Sequence, residues 1–202
     1  MSKQLGFFID VSRCTGCKTC MVACKDGHNP APGMNLRRVR EFAGGDWEKT
    51  AEGSWKQDVF AYYVSVSCNH CSDPACVKVC PTGAHFKRKE DGLVVIDAKK
   101  CIGCGMCAKA CPYHAPVLDT KTHKMQKCDG CLNRLAKDQK PLCVESCPMR
   151  AIEFGDMEEL KKIHKGTAAI APLPAPTTKP NIIVKPPKRN GKASDSKDGL
   201  EY

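Results

Sequence analysis

A chain of 202 residues with 6% aromatic side chains holds one or two small domains and too little apolar bulk for a large core. Its formal net charge of +10 would by itself suit nucleic acid or an anionic surface, but no basic and aromatic constellation accompanies the charge, which argues against nucleic-acid binding. No apolar run approaches the ~18 residues of a membrane-crossing helix, and Met1 to Arg13 carries neither a hydrophobic export segment nor a twin-arginine pair.

In chain order, Phe7, Phe8, Ile9 and Asp10 predict a short strand that runs through Arg13 into a first group of cysteines, Cys14, Cys17, Cys20 and Cys24. From Lys25 to Ser67 the pattern is Asn35 to Phe42, a turn at Gly44, Gly45, Asp46 and Trp47, then Trp55, then Val59 to Ser67. It predicts two strands and a loop. Both tryptophans of the protein lie here, either as caps on a thin core or as anchors of a docking surface. A second group, Cys68, Cys71, Cys76 and Cys80, is followed by a compact Asp91-Gly92 turn. Val94, Val95, Ile96 and Asp97 then repeat the first strand and lead through Lys100 into Cys101, Cys104, Cys107 and Cys111. The fourth group is Cys128, Cys131, Cys143 and Cys147. Past Pro148, Asp156 to Lys165 predicts a short helix with Asp156 as N-cap and Met157, Leu160 and Ile163 at helical spacing. Ala168 to Pro187 carries six prolines, from Pro172 to Pro187, around Ile182, Ile183 and Val184. This predicts an extended arm that does not fold back alone and whose apolar studs embrace another subunit. Lys188 to Tyr202 is polar and predicts disorder.

All sixteen cysteines fall into these groups of four, and every group ends in C-x3-C. The first and third read C-x2-C-x2-C-x3-C; the second and fourth widen the middle spacing and end in C-x3-C-P. Three close thiolates with a fourth reaching away form the ligand pattern of paired [4Fe-4S] clusters in bacterial ferredoxins. A disulfide framework suits a small secreted chain, and structural zinc usually ends in a second C-x2-C or a histidine pair; a zinc-binding scaffold is therefore the remote alternative. His70, between Cys68 and Cys71, reads as an ordinary loop residue because four cysteines serve each site. Four clusters would act as the cores, so the metal-free chain is expected to hold little stable structure. Each oxidised cluster with four thiolates carries about −2, so four of them offset about eight of the ten positive charges.

The groups alternate between two types, and each ferredoxin unit needs one of each. Tandem and nested pairings both remain open, with the compact join between the middle groups a mild argument for nesting. No nucleophile-base pair, phosphate loop or open metal position is present, so no catalytic residue is assigned; a non-catalytic electron carrier is expected. Lys78, Lys87, Arg88, Lys99, Lys100 and Lys109 crowd the middle groups and would favour the reduced state of clusters there.

Together with the four groups, the segment from Asn35 through Trp47, the run Phe60 to Tyr63, Ser67 to Cys71, and the arm at Ala171 to Pro174 resemble the iron-sulfur subunits of molybdopterin oxidoreductases, the dimethyl sulfoxide reductase type above all. The likeness runs from residue 3 to about residue 186. Tetrathionate, polysulfide, formate and nitrate enzymes share the four groups, so only the insert and the arm point to this type. The resemblance implies an α+β fold of two nested two-cluster ferredoxin-like units. The outer unit would be 1–25 with 118–165, an insertion 26–57, the inner unit 58–117, and the arm and tail 166–202. It also implies four [4Fe-4S] clusters: one on Cys14, Cys17, Cys20 and Cys147, a second on Cys24, Cys128, Cys131 and Cys143, a third on Cys68, Cys71, Cys76 and Cys111, and a fourth on Cys80, Cys101, Cys104 and Cys107.

Related nitrate reductase subunits have tryptophan at the position of Cys104 and a [3Fe-4S] cluster there; cysteine here implies a complete cube. Lys25 stands where the other groups carry proline, which loosens the local turn but removes no ligand. The implied partners are a molybdopterin catalytic subunit and a quinol-oxidising membrane anchor or a multihaem cytochrome, with the Cys14/Cys147 cluster toward the former and the Cys80/Cys101 cluster toward the latter. The chain would be synthesised and loaded in the cytoplasm and reach the membrane through its partners, exported if at all with the catalytic subunit. A free-standing polyferredoxin is the alternative, and the studded arm argues against it.

Overall fold

Strand β1 (Leu5–Asp10) is buried almost throughout, because a three-stranded sheet and both its faces close around it. This computed structural model describes residues 3–188, so the expected disordered tail falls, from residue 189 on, outside the described residues. β10 (Ile152–Asp156) pairs antiparallel with β1 from Leu5↔Asp156 to Ile9↔Ile152, and β11 (Ile182–Lys185) pairs parallel on the other edge. Alternation divides the strand's side chains. Phe7 and Ile9 enter the main core, while Phe8 turns to the opposite face with Ile183 and meets Met157 and Leu160 of helix α6 (Met157–Ile163). That helix starts as expected: the Asp156 carboxylate accepts the N–H of Glu158.

The two ferredoxin-type units follow from which elements pair. β1 leads into the first cysteine group and pairs with β10, which follows the fourth. β7 (Val94–Ile96) leads into the third group and pairs antiparallel with β6 (His85–Lys87), which follows the second. The helices repeat the arrangement. α1 (Thr19–His28), carrying Cys20 and Cys24, packs on α5 (Leu142–Glu145), and α2 (Ala75–Lys78) packs on α3 (Met106–Ala110). The first contact is close because Gly27 faces Leu142: a Cβ there would collide with the leucine Cδ1. A hairpin of β8 (Val117–Asp119) and β9 (Lys124–Gln126), then α4 (Leu132–Leu135), carry the chain from the inner pair back to the outer.

The insert is richer than two strands and a loop. β2 (Arg38–Gly44) and β5 (Phe60–Val66) form the expected ribbon, but between them β3 (Trp47–Lys49) and β4 (Trp55–Gln57) make a second hairpin. Gly45 at φ +89° allows the break: a Cβ there would lie 2.6 Å from the Asp58 carbonyl oxygen, so only glycine lets the strands cross over. Asp58 then clasps the base, its carboxylate accepting the Asp46 N–H at 2.7 Å. The tryptophans do not cap a core: Trp47 is 61% and Trp55 62% exposed. The core beneath the ribbon is filled instead by Phe42, Phe60, Tyr62 and Val64.

The arm overturns the expectation that it cannot fold back. Ile182, Ile183 and Val184 are buried in their own chain as β11, and Ile170 joins the main core. The prolines forbid helix but leave an extended segment free to add to an open strand edge, and β1 offers one. On its way the arm crosses the Cys68–Cys71 loop. Ser72 N–H donates to the Lys179 carbonyl, Asn181 N–H to the Asn69 carbonyl, and Asn181 Nδ2 to the His70 carbonyl at 2.8 Å. Tyr62 Oη donates to the Ala171 carbonyl. The arm is a strap joining both units.

Only three of the eighteen buried residues in the main core are cysteines, Cys20, Cys143 and Cys147, whereas half of the six in the inner unit's cluster are, Cys76, Cys101 and Cys107. The inner unit thus lacks a core without whatever its sulfurs bind. Val184→Ala, at a fully buried strap position, should cost the loaded chain about 1–3 kcal/mol. An anaerobic guanidinium titration would read this as a lower midpoint with an unchanged slope.

Candidate iron-sulfur sites

The first C-x2-C loop of each group turns through a left-handed residue at its third position: Gly16 (φ 70°), His70 (φ 44°), Gly103 (φ 71°) and Gly130 (φ 79°). That turn lets both flanking sulfurs point inward from a short loop. Three of the four are glycine, the residue with least resistance to this conformation, while a side chain there costs about 1–2 kcal/mol. His70 therefore needs compensation. It is fully buried, its Nδ1 accepts the Val94 N–H at 3.1 Å, and its Nε2 lies 3.9 Å from Cys128 Sγ. Burial, with Lys127 and Lys87 nearby, holds the ring far below its ordinary pKa, so it is neutral and its proton sits on Nε2, aimed at sulfur. Reading His70 as an ordinary loop residue was wrong: it sits in one cysteine loop and serves a cysteine of another group.

None of the sixteen cysteines is in a disulfide. Cys14, Cys17, Cys20 and Cys147 line one cleft with about 360 Å³ of space, beneath Val39 and Ser65 of the β2–β5 ribbon. Cys80, Cys101, Cys104 and Cys107 line another with about 280 Å³, beside Ile102 and Met106. The other eight are grouped by their mutual electrostatics. Burial pushes the Cys24 thiol up to about 12, and Cys128, Cys143 and Cys131 add to the shift; burial pushes Cys76 up to about 12, with Cys68, Cys111 and Cys71 adding to it. Cys128 and Cys68 are themselves neighbours, which joins the two groups. The exposed cysteines are Cys17 and Cys104, one in each cleft.

The donor set fits [4Fe-4S] clusters, which take four thiolates each and are tuned by hydrogen bonds to sulfur. Backbone N–H groups of Ala151, His85, Met125 and Gly130 point at Cys147, Cys80, Cys101 and Cys128 at 3.3 to 3.5 Å. Hydroxyls of Ser65 and Thr178 lie 3.3 and 3.2 Å from Cys20 and Cys71, and His28 Nε2 lies 3.3 Å from Cys131. Such donors compensate negative charge on buried sulfur.

The lysines expected around the middle groups divide sharply. Lys78 and Lys100 are exposed and face Asp73 and Asp97 on the surface, where pairing contributes little. Lys87 is different: its ammonium donates to the His70, Cys71 and Gly92 carbonyls. Two buried cations were missed from sequence. Lys127, one residue before Cys128, donates to the Val94 and Cys128 carbonyls, and Arg37 lies fully buried ahead of β2. Only the adjacency of Lys127 to a cysteine could have signalled the first; the second sits far from any cysteine in sequence.

The thiols divide by acidity. Burial pushes the Cys80 thiol up, but hydrogen bonds from His85, Thr82 and Ala84 lower it net, and hydrogen bonds from Thr19 lower Cys17. Cys24, Cys76 and Cys131 are all pushed up to about 12, chiefly by burial.

Comparison with known proteins assigns the chain to a family. Two families, each described as a 4Fe-4S dicluster domain, match residues 59–157 and 13–85. The protein is 59% identical over 187 residues to a chain of the anaerobic dimethyl sulfoxide reductase of Escherichia coli (strain K12), covering 92% of its own length and 90% of that relative. It is 52% identical over 188 residues to the corresponding dimethyl sulfoxide reductase chain of Haemophilus influenzae, covering 92% and 91%. To a tetrathionate reductase subunit of Salmonella typhimurium it is 37% identical, covering 89% and 71%. With its cysteines gathered in ferredoxin-type loops and these likenesses along nearly its whole length, the protein belongs to the family of 4Fe-4S electron-transfer subunits that includes those of anaerobic dimethyl sulfoxide reductases.

Proposed function

We propose that the chain holds four [4Fe-4S] clusters and relays electrons from a quinol-oxidising membrane anchor to a molybdopterin catalytic subunit. The ligand sets are the nested ones: Cys14, Cys17, Cys20 and Cys147; Cys24, Cys128, Cys131 and Cys143; Cys68, Cys71, Cys76 and Cys111; and Cys80, Cys101, Cys104 and Cys107. Support comes from the two clefts lined by the first and last sets and from the mutual shifts within the middle two. When bound, each cluster takes up and returns one electron.

The observation that carries the reading is a file of sulfurs with an exposed cysteine at each end. Cys20 neighbours Cys143, Cys128 neighbours Cys68, and α3 joins Cys107 to Cys111. The exposed cysteines, Cys17 and Cys104, belong to the terminal sets. Apolar side chains stand exposed beside each: Met149 near the first, Ile102 and Met106 near the second. A redox partner docking at each end would cover these and bring its own centre close to a ligand. The Cys17 end faces the catalytic subunit and the Cys104 end the anchor, as in the resemblance. Among the described residues no helix is long and apolar enough to cross a membrane, so attachment falls to the partners.

The strap satisfies its apolar residues within the chain, so it no longer argues against a free-standing polyferredoxin. The exposed β3–β4 hairpin now weighs on the other side. Its register puts Trp47 and Trp55 diagonally on one face, and it springs from the ribbon that roofs the Cys17 cleft. Replacing either tryptophan with alanine should weaken capture by the catalytic subunit tenfold or more, about 1.4 kcal/mol, with iron content unchanged. Unchanged affinity and a monomeric elution volume alongside the catalytic subunit would favour the polyferredoxin.

Anaerobic preparations should contain about sixteen irons and as many acid-labile sulfides per chain. Under the nested sets Cys76→Ser and Cys111→Ser alter the same paramagnetic signal and Cys80→Ser a different one. A tandem pairing would break that grouping.

A further inference from the structure

A guanidinium without water is costly to bury, yet Arg37 is 2% exposed. Its Nη1 donates to the Ser65 carbonyl at 3.4 Å and hydroxyl at 3.0 Å, and Nη2 donates to the Ser67 hydroxyl at 2.9 Å. Its carbon centre lies 4.7 Å from the centroid of the Phe7 ring, a cation-π contact. These partners hold the group in place without neutralising it. The negative groups that act on it most strongly are the thiolates of Cys143, Cys20, Cys128 and Cys24. One of those four belongs to the first ligand set and three to the second. The Ser65 hydroxyl that accepts the Arg37 hydrogen bond also lies 3.3 Å from Cys20 Sγ, so the side chain reaches the first set through one intermediary.

Arginine cannot shed its proton in a protein, so the charge is permanent, and its burial keeps salt from screening it. A cluster that accepts an electron becomes more negative by one unit. A fixed cation beside two clusters stabilises the reduced form of both and raises both potentials together. We propose that Arg37 is a potential-setting residue shared by the outer pair of clusters, holding both above the potential they would otherwise take and drawing electrons from the inner pair toward the Cys17 end. In each transfer one inner cluster is oxidised by one electron and one outer cluster reduced, with no proton moved and no bond made or broken. Lys87 and Lys127 do not duplicate this: Lys87 is set against Cys71 and Cys68 of the third set, and Lys127 acts on both Cys76 and Cys128 across the middle of the file.

The proposal rests on the four-cluster reading and is tested separately from it, because iron and sulfide analysis of the unsubstituted chain reports on that reading alone. The experiment is a redox titration followed by electron paramagnetic resonance on the full chain in its complex. Arg37→Gln should lower two of the four midpoints together, each by at least a tenfold change in the reduced-to-oxidised ratio, about 59 mV for one electron. The other two should stay put, and the shift should persist in about 1 M salt. Arg37→Lys, which keeps the charge, should stay near the parent values. Midpoints unchanged in Arg37→Gln, a shift confined to the inner pair, equal shifts in both variants, or loss of the clusters from both variants would each overturn the proposal. The last would mark Arg37 as scaffold only.

Discussion

Negative charge on buried sulfur is the constraint around which this molecule is built. Most of the thiols lie where burial resists ionisation, and metal binding requires the ionised form. The chain answers with directed donors rather than solvent. Left-handed turns aim backbone N–H groups at sulfur, hydroxyls and imidazoles approach from other segments of the chain, and buried cations stand between the groups. Much of what looks like ordinary polar burial, His70 and Arg37 above all, is explained by this one requirement.

The second constraint is the scarcity of apolar core. In the outer unit β1 solves it by accepting partners from opposite ends of the chain, so that Phe7 and Ile9 are enclosed by segments far apart in sequence. In the inner unit the hairpin of β6 and β7 is too short to do this, and cysteines occupy the space where aliphatic residues would otherwise pack. The strap then fastens one unit to the other, running over the Cys68–Cys71 loop before it joins β1.

What could be read from the sequence was whatever repeats at short range. Cysteine spacing is covalent arithmetic, and the strand before Cys14 reappears before Cys101, so both were legible, as was the Asp156 cap. The strap was misread because proline-rich composition reports how a segment is extended, not what it lies against; its fate depended on an open edge of β1 that only the assembled sheet reveals. The tryptophans failed for a related reason. Burial of an aromatic depends on whether its hairpin folds onto the core, and the Gly45 crossover directs β3 and β4 away from it. Arg37 left no local trace, since its partners, Ser65 on β5 and Ser67 just past its end, lie about thirty residues on.

The position of β1 has a consequence for biosynthesis. Its antiparallel neighbour comes from near residue 152 and its parallel neighbour from near residue 182, so this strand waits for partners made long after it. The hairpin between Cys80 and Cys101 can close as soon as it emerges, whereas Phe7, Phe8 and Ile9 stay uncovered until those two later segments have been made. A helper that shields this strand would have that whole interval in which to act, and its release would coincide with the arrival of the strap.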